Sequence, residues 1–325
     1  MANIKFNKNA IPTTMARRYA TRRRPYSRRS RAPTRRRVTP RKRSSYRRTS
    51  TRKRPSRKAL LNVTSKKKRN GMLTVTTSGS SGTPIAPAFG PAFINATDGG
   101  YFLWCATAQN LYTANGPNPV SADAARTAQT CYMRGLSEHI RIQTSSPLPW
   151  FHRRICFTTK HAVFRSQIGT TPTPVNTIVP YYDDSARGME RWLQNQTNNN
   201  ASVTVANWNG WIFKGAEGSD WSDRIIAPVD TTRIDVKFDK TWTLQSGNAV
   251  GIVRERKLWH PMNKNLTYDD DESGEAETDT SYYTVADKRG MGDFYILDII
   301  QAGTGGSATD LMRFDCNSTL YWHER

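Results

Sequence analysis

The distribution of charge constrains this chain more than any other feature, because no Asp or Glu precedes Asp98. The first 70 residues contain 27 Lys and Arg residues, 19 of which are Arg. The whole chain has 49 basic and 26 acidic residues, so the other 255 residues carry 22 basic and all 26 acidic ones. A segment of such high positive charge repels itself and cannot fold into a core. We therefore predict a polycationic arm over residues 1–70 and a nearly neutral folded body over residues 71–325.

The arm is also poor in the residues that build a core. Only seven of its 70 residues are Leu, Ile, Val or Phe. Prolines at positions 25, 33, 40 and 55 would interrupt any long helix. This composition predicts that the free N-terminal arm is disordered.

The arginine clusters of the arm indicate a function in binding nucleic acid. Guanidinium groups match phosphate oxygens in bidentate geometry, and each neutralised phosphate releases counterions without any reading of sequence. Tyr19, Tyr26 and Tyr46 lie among the arginines and can stack on unpaired bases. The predicted nucleic-acid-binding residues are Arg17, Arg18, Arg22, Arg23, Arg24, Arg28, Arg29, Arg31, Arg35, Arg36, Arg37, Arg41, Lys42, Arg43, Arg47, Arg48, Arg52, Lys53 and Arg54.

The charge run fits two further roles, solubility and membrane binding, less well. Solubility alone does not require 27 positive charges and no negative one. Binding to a membrane surface normally uses a helix with an apolar face, which the arm lacks. We therefore expect a nucleic-acid partner and no membrane partner.

The end of the arm carries a compact basic cluster, Lys66, Lys67, Lys68 and Arg69. Clusters of this kind are typical of nuclear localisation signals and of nucleic-acid patches, so we predict binding to nuclear import receptors. At the other end, residues 1–14 have only Lys5 and Lys8 as charged side chains, which makes Met15 an alternative start of translation.

The body has the alternating pattern of β-strands. All nine tryptophans lie in it. Between residues 232 and 244 the apolar side chains share one parity and the charged ones other than Lys240 share the other, which predicts one half-buried strand or a strand pair broken near Asp239 and Lys240. Helical patterns are confined to residues 122–129 and 185–193. Since the strands are short and no repeat of 20–50 residues is present, the sequence predicts an all-β, two-sheet jelly roll. The predicted strands are 73–76, 136–143, 151–158, 202–206, 232–244, 281–285, 294–300 and 318–322.

Motifs of catalysis and targeting are missing from the sequence. It has no G-x-S-x-G, H-E-x-x-H or Walker A pattern, so we predict neither an enzyme nor a cofactor. It has no run of 18 apolar residues, and its N-terminus lacks the apolar region of a secretory signal. The four dispersed cysteines do not form a disulfide framework, which indicates synthesis in a reducing compartment.

Two groups of residues invite a metal-site interpretation. A zinc site could be formed by His152, Cys156 and His161, with Cys131 or His139 as a fourth ligand. The spacing of these residues fits no common zinc finger. We interpret them as packing residues and predict no metal. The acidic run over residues 269–277 lacks the spacing of a calcium loop. It is either a solvated loop or a contact with basic residues of another subunit, directly or through a cation.

Several motifs occur in the same order as in a known family. The motifs are PWFHRRICFTTK (149–160), FKGAEGSDWSD (213–223), IAPVDT (226–231), KLWHPMNKNLTYDDDESGE (257–275), KRGMGDFYILD (288–298) and TLYWHER (319–325). The arginine-rich start at Met15, MARRYATRRR, is also similar to that family's N-terminus. On these residues the chain resembles the capsid proteins of genomoviruses, of the gemycircularvirus type, with a jelly roll of the viral capsid type.

The resemblance implies a jelly-roll capsid protein that packages a circular single-stranded DNA genome. It implies a small icosahedral virion, for which the simplest shell has 60 copies, and passage through a host nucleus. The alternative is a cellular nucleic-acid-binding protein with a basic extension, such as a ribosomal or chromatin component. That alternative predicts basic residues spread over the folded body, whereas here the excess charge lies in the arm.

Overall fold

The computed structural model describes residues 55–113, 116–166, 179–198, 201–274 and 277–324. Within these ranges the chain forms two α-helices, α1 (Arg57–Thr64) and α2 (Ser202–Ile212), and a short 3-10 helix (Ala162–Phe164). The remaining regular structure consists of strands, so the predicted all-β class is confirmed. The strands are β1 (Lys66–Met72), β2 (Thr74–Ser78), β3 (Pro84–Phe89), β4 (Ala92–Asn95), β5 (Gly100–Cys105), β6 (Tyr112–Thr113), β7 (Gly116–Pro117), β8 (Thr130–Thr144), β9 (Trp150–Thr159), β10 (Tyr182–Asp184), β11 (Gly188–Leu193), β12 (Asp235–Leu244), β13 (Val253–Thr267), β14 (Asp271–Ser273), β15 (Glu277–Asp279), β16 (Asp293–Ala302) and β17 (Leu311–Glu324).

Two large antiparallel sheets form the body. The first, called here the outer sheet, has the order β1-β17-β8-β13, and β4 pairs with the part of β17 that β1 leaves free. The second, called the central sheet, has the order β12-β9-β16-β5. A smaller sheet has the order β10-β11-β2-β3, in which β11 runs parallel to β2.

The two large sheets share one core. Buried side chains of the outer sheet, such as Trp322 and Phe314, lie in the same clusters as Trp104 and Phe102 of the central sheet. Burial of these large rings supplies the main driving force, at about 25 cal/mol per Å² of apolar surface.

The second face of the central sheet is covered as well. Helix α2 packs Trp208 and Ile212 against Tyr101, Phe157 and Tyr295 of that sheet. Because both faces are buried, β9 and β16 are buried along almost their whole length and do not alternate between core and solvent.

Most predicted strands are confirmed. Strand β12 has the predicted alternation, with Val236 and Phe238 partly buried and Asp235 and Lys237 exposed or nearly so. The segments 73–76, 136–143, 151–158, 294–300 and 318–322 lie in or overlap β2, β8, β9, β16 and β17. Among the residues that the structure describes, no helix is long and apolar enough to cross a membrane.

Four predictions of secondary structure were wrong. Residues 202–206, rich in β-branched side chains, belong to α2, because Val205, Trp208 and Ile212 form one helical face against the central sheet. Residues 188–193 of the helix predicted over 185–193 form β11 instead. Residues 122–129 have no regular structure, and residues 281–285 contribute only an isolated bridge at Thr284.

The predicted boundary at residue 70 lies inside β1. Residues 66–72 pair with β17 along its C-terminal half, so they belong to the folded sheet. The compact unit that contains the sheets begins at Pro55.

Candidate nucleic-acid interface

The predicted nucleic-acid-binding residues lie between Arg17 and Arg54, outside the described residues. Their function therefore stays a prediction from the sequence. The described part of the chain adds the surroundings of the basic cluster at residues 66–69, and it shows where the other candidate residues lie.

Strand β1 divides the basic cluster between two faces. Lys68 points into the body, where its Nζ lies 2.9 Å from Glu324 Oε2 and donates to Thr127 Oγ1 at 2.8 Å. Lys67 and Arg69 alternate with it and are exposed. Lys66 lies 3.6 Å from Asp123. The folded strand therefore presents two cations of the four without an acidic partner among the described residues, and recognition by import receptors stays a prediction.

The residues considered as metal ligands have separate partners. His152 Nε2 lies 2.8 Å from Asp298 Oδ1, and His161 packs its ring 4.2 Å from that of Trp211. Cys131 is buried beside Glu324, whereas His139 is exposed. In the described ranges no three His, Cys, Asp or Glu side chains form a group that could hold a metal ion.

The acidic run has a structural part and an exposed part. Asp270 forms a buried ion pair with Arg126, whose guanidinium also lies 3.9 Å from the centre of the Tyr268 ring. Asp271 and Glu272 follow in β14 and are exposed. The exposed part fits either predicted role, a solvated loop or a contact with another subunit.

The strongest electrostatic cluster of the body is buried between the two large sheets. Arg154 of β9 donates to both carboxylate oxygens of Asp298 of β16, at 2.7 and 2.8 Å, and also to Glu138 of β8. Arg191 of β11 donates to Glu138 at 3.1 Å and to Asp298 at 2.9 Å. All four side chains are fully buried. We call these four residues the ion-pair core; it joins three sheets with two positive and two negative charges.

The charges of the ion-pair core are fixed by their neighbours. Burial is the largest influence and alone would raise the pKa of Asp298 and of Glu138. The guanidinium of Arg154, together with His152 at Asp298 and with Arg191 and His260 at Glu138, outweighs burial and holds both pKa values well below their usual range. Burial lowers the pKa of His152. Arg256 donates to His152 Nδ1 at 2.8 Å, so Nε2 carries the proton that His152 donates to Asp298. His152 is therefore a neutral donor to an ionised carboxylate.

Cys156, His260 and Glu138 follow one another as nucleophile, base and carboxylate do in a catalytic triad, but all three side chains are buried. Cys156 Sγ lies 3.7 Å from His260 Nδ1, and His260 Nε2 lies 3.6 Å from Glu138 Oε2. Burial raises the pKa of the Cys156 thiol well above its usual value. Because a reactive cysteine needs a thiolate that solvent can reach, this array gives no support to nucleophilic chemistry.

Sequence reasoning missed the ion-pair core. A weak signal exists in β16, where Asp298 interrupts the otherwise apolar run 294–300, but Arg154 follows two other polar residues, His152 and Arg153. Nothing in the sequence pairs residues 138, 154, 191 and 298, because their proximity depends on the order of strands in three sheets.

The comparisons with known proteins add no family: no family model matches the chain, and no curated protein matches it significantly.

Proposed function

We propose that this chain is the structural capsid protein of a small virus, which assembles into an icosahedral shell and packages circular single-stranded DNA through its basic arm. The observation that carries the proposal is the separation of charge: 27 basic and no acidic residues in the first 70, joined to a nearly neutral β body. A container needs this separation, since its inner arm must bind a polyanion while its wall packs against identical copies.

The strand order supports a jelly roll. Eight principal strands, taken along the chain, are β4, β5, β8, β9, β12, β13, β16 and β17. Numbered one to eight, they have the order 1-8-3-6 in the outer sheet and 2-7-4-5 in the central sheet. This is the order of two interleaved Greek keys, the arrangement of viral jelly rolls. The motifs that resemble genomovirus capsid proteins include all of β9, most of β13, the first part of β16 and the end of β17.

The proposal assigns the chain to the virion and, during infection, to the host nucleus. Its partners are single-stranded DNA, other copies of itself in a shell of 60, and nuclear import receptors. It has no catalytic step. The alternative, a cellular nucleic-acid-binding protein, differs in assembly: electron microscopy of the purified full chain should show uniform closed shells, and particles of single-chain size would contradict the proposal.

The arm's charge sets an expected size for the packaged genome. Sixty copies, each with 27 basic residues in its first 70, carry about 1,600 positive charges, or about 1,500 if synthesis starts at Met15. Single-stranded DNA has one phosphate per nucleotide, and small cations neutralise part of the remainder. We expect a circle of roughly 1.5–3 kilobases after extraction from nuclease-treated particles. Double-stranded DNA, or a strand beyond about 5 kilobases, would contradict this charge balance.

Nuclear import is expected to depend on the arm more than on the cluster at residues 66–69. Lys68 is held by Glu324, and only Lys67 and Arg69 are both exposed and without an acidic partner in the described strands. The full chain with Lys67→Gln and Arg69→Gln, fused to a fluorescent protein, should still accumulate in nuclei. A fusion of residues 15–54 alone should do the same. Loss of nuclear signal in the double variant would instead make the exposed pair the import signal.

A further inference from the structure

The solvent-facing side of the outer sheet carries four rings in two cross-strand pairs. Trp259 of β13 and Tyr321 of β17 have ring centres 5.9 Å apart, and Tyr132 of β8 and His323 of β17 have centres 6.0 Å apart. Trp259 is 50% exposed, and the other three rings are half-buried. A group of neighbouring aromatic rings open to water on a sheet surface is typical of an interaction site.

Gly135 provides the place where the indole lies. It stands on β8 opposite Tyr321 on one side and Pro261 on the other. A Cβ atom at this position would be 2.7 Å from Cζ2 and 3.0 Å from Cη2 of Trp259. The indole therefore lies directly against the backbone of β8 and reaches toward Tyr321. The ring is held in place although half of its surface is exposed.

Cations surround the rings. Lys67 pairs in register with His323, and Arg69 pairs with Tyr321, both across the β1–β17 ladder. Lys257 precedes Trp259 by two residues on β13, on the same face, and Arg134 is exposed on β8 between the two ring pairs. Burial, together with the positive charges of Arg134 and Lys67, lowers the pKa of His323, which reports a positive potential at this surface.

The strand positions on this face carry no carboxylate among the rings and cations, and the nearby loop residue Asp123 has its carboxylate 3.6 Å from Lys66. From the row of Lys67 to the row of Lys257, the outward positions of the described strands include no Asp or Glu. Glu255 lies in the next row, where it pairs with Arg141 at 2.8 Å. The surface combines open aromatic rings with unneutralised cations, which are the two requirements for binding unpaired nucleotides.

We propose that this face, defined by Trp259, Tyr321, Tyr132 and His323 with their flanking cations, binds the bases and phosphates of single-stranded nucleic acid. Unpaired bases stack on the rings, and Lys67, Arg69, Arg134 and Lys257 contact the phosphates. The proposal deepens the proposed function, because it adds to the arm a second contact with the packaged strand. The arm neutralises phosphates without fixing any nucleotide in one place, whereas the folded face holds bases at a defined position on the shell wall.

The test uses the full chain and a labelled oligo(dT) probe at about 0.5 M salt, where contacts of the arm are strongly weakened and stacking persists. Trp259→Ala should weaken binding at least about fivefold, since stacking of one base accounts for a factor of that size or more. Trp259→Phe, which keeps a ring, should restore most of it. Phe89→Ala is the matched control, because Phe89 is a similarly exposed aromatic ring with Arg187 over it, on β3.

Charge and strandedness give independent readouts. Lys257→Gln should reduce the slope of log affinity against log salt by about 0.7, whereas Lys240→Gln, at an exposed site on the central sheet, should not. A blunt duplex of equal length should not distinguish Trp259→Ala from wild type, because its bases are already stacked. Ultraviolet cross-linking to oligo(dT) should attach the strand at Trp259, Tyr321 or Tyr132.

Each contrary result has a defined meaning. If Trp259→Ala binds oligo(dT) like wild type and no cross-link forms on this face, the inference is wrong while binding by the arm stands. If the same variant changes shell assembly but not oligonucleotide binding, the face is a contact between copies, and the inference is again wrong. If the wild-type chain binds no single-stranded DNA, the proposed function itself fails.

Discussion

Deletion of residues 1–54 is expected to remove most of the affinity for single-stranded DNA. These residues contain 21 of the chain's 49 basic side chains and no acidic one. If about ten of them each neutralise a phosphate, the slope of log affinity against log salt is about −7, and its loss lowers affinity by several powers of ten at low salt. Titration of a labelled oligonucleotide at several salt concentrations measures both quantities.

The structure defines where the truncation must end. Ser56 accepts a hydrogen bond from the Ala59 amide at the N-terminus of α1, so a deletion ending at residue 54 keeps this cap. The truncated chain should retain a β-type circular-dichroism spectrum. It should also retain a weak binding component that depends on Trp259.

Two substituted chains separate the effect of the arm's charge from any effect of the deletion on folding. Replacing the arm's arginines by lysine keeps every charge and should keep the salt slope, with some loss of affinity because lysine lacks the bidentate fork. Replacing them by glutamine should reproduce the deletion. Wild-type affinity in the deleted or glutamine variant would show that the body, not the arm, is the main binding site.

Alternation with charged side chains predicted the strands that have one exposed face, and apolar runs predicted β9 and β16, which are buried on both faces. Strand β12 was found because Val236 and Phe238 alternate with charged residues, and β8 was found in the same way. Helix α2 was missed because the β-branched residues at its start favour a strand locally, while the central sheet needs a helical face of Val205, Trp208 and Ile212. Tertiary packing decides such segments, and a short sequence window does not contain it.

The two candidate nucleic-acid contacts, the arm and the aromatic face of the outer sheet, also differ in how far the sequence alone predicts them. The arm could be assigned from composition, because its binding depends on charge density and not on geometry. The parity of Lys257 and Trp259 is visible in the sequence, but Tyr321 and Tyr132 come from distant strands. Only the register of β13, β8 and β17 brings these rings together.

Removal of one member of the ion-pair core is expected to destabilise the body strongly. Replacing Arg154 by Met should lower the free energy of unfolding by about 3–5 kcal/mol, because Asp298 and Glu138 would then share only Arg191. Arg141→Met is the matched control. Arg141 of β8 pairs with Glu255 of β13 at 2.8 Å on the solvent-facing side of the outer sheet, so its loss should cost at most about 1 kcal/mol.

The double variant with Arg154→Met and Asp298→Asn tests whether charge balance is the cause. It returns the site to one Arg191–Glu138 pair, so its loss of stability should be smaller than the sum of the two single losses by about 1 kcal/mol or more. Chemical denaturation of unassembled protein measures all three variants. Strict additivity would mean that Arg154 stabilises the body by packing alone.

Acid should act through the same groups. Asp298 and Glu138 have a lower pKa in the folded chain than in the unfolded chain, so their contribution is complete above about pH 4 and is lost as the pH falls further. His152, whose pKa is lowered in the folded chain, adds a loss of stability that begins below about pH 6.5, because the unfolded chain then binds a proton that the folded chain does not.

Asp293 acts in the opposite sense: burial raises its pKa to about 7, so the folded chain gains stability as the pH falls from 7 toward 4. Below about pH 4 protonation of the carboxylates of the ion-pair core determines how the free energy of unfolding changes with pH. The free energy of unfolding of the wild type should therefore fall more steeply there than that of the Arg154→Met and Asp298→Asn double variant. Equal slopes below pH 4 would show that the buried carboxylates of the ion-pair core do not carry the acid sensitivity.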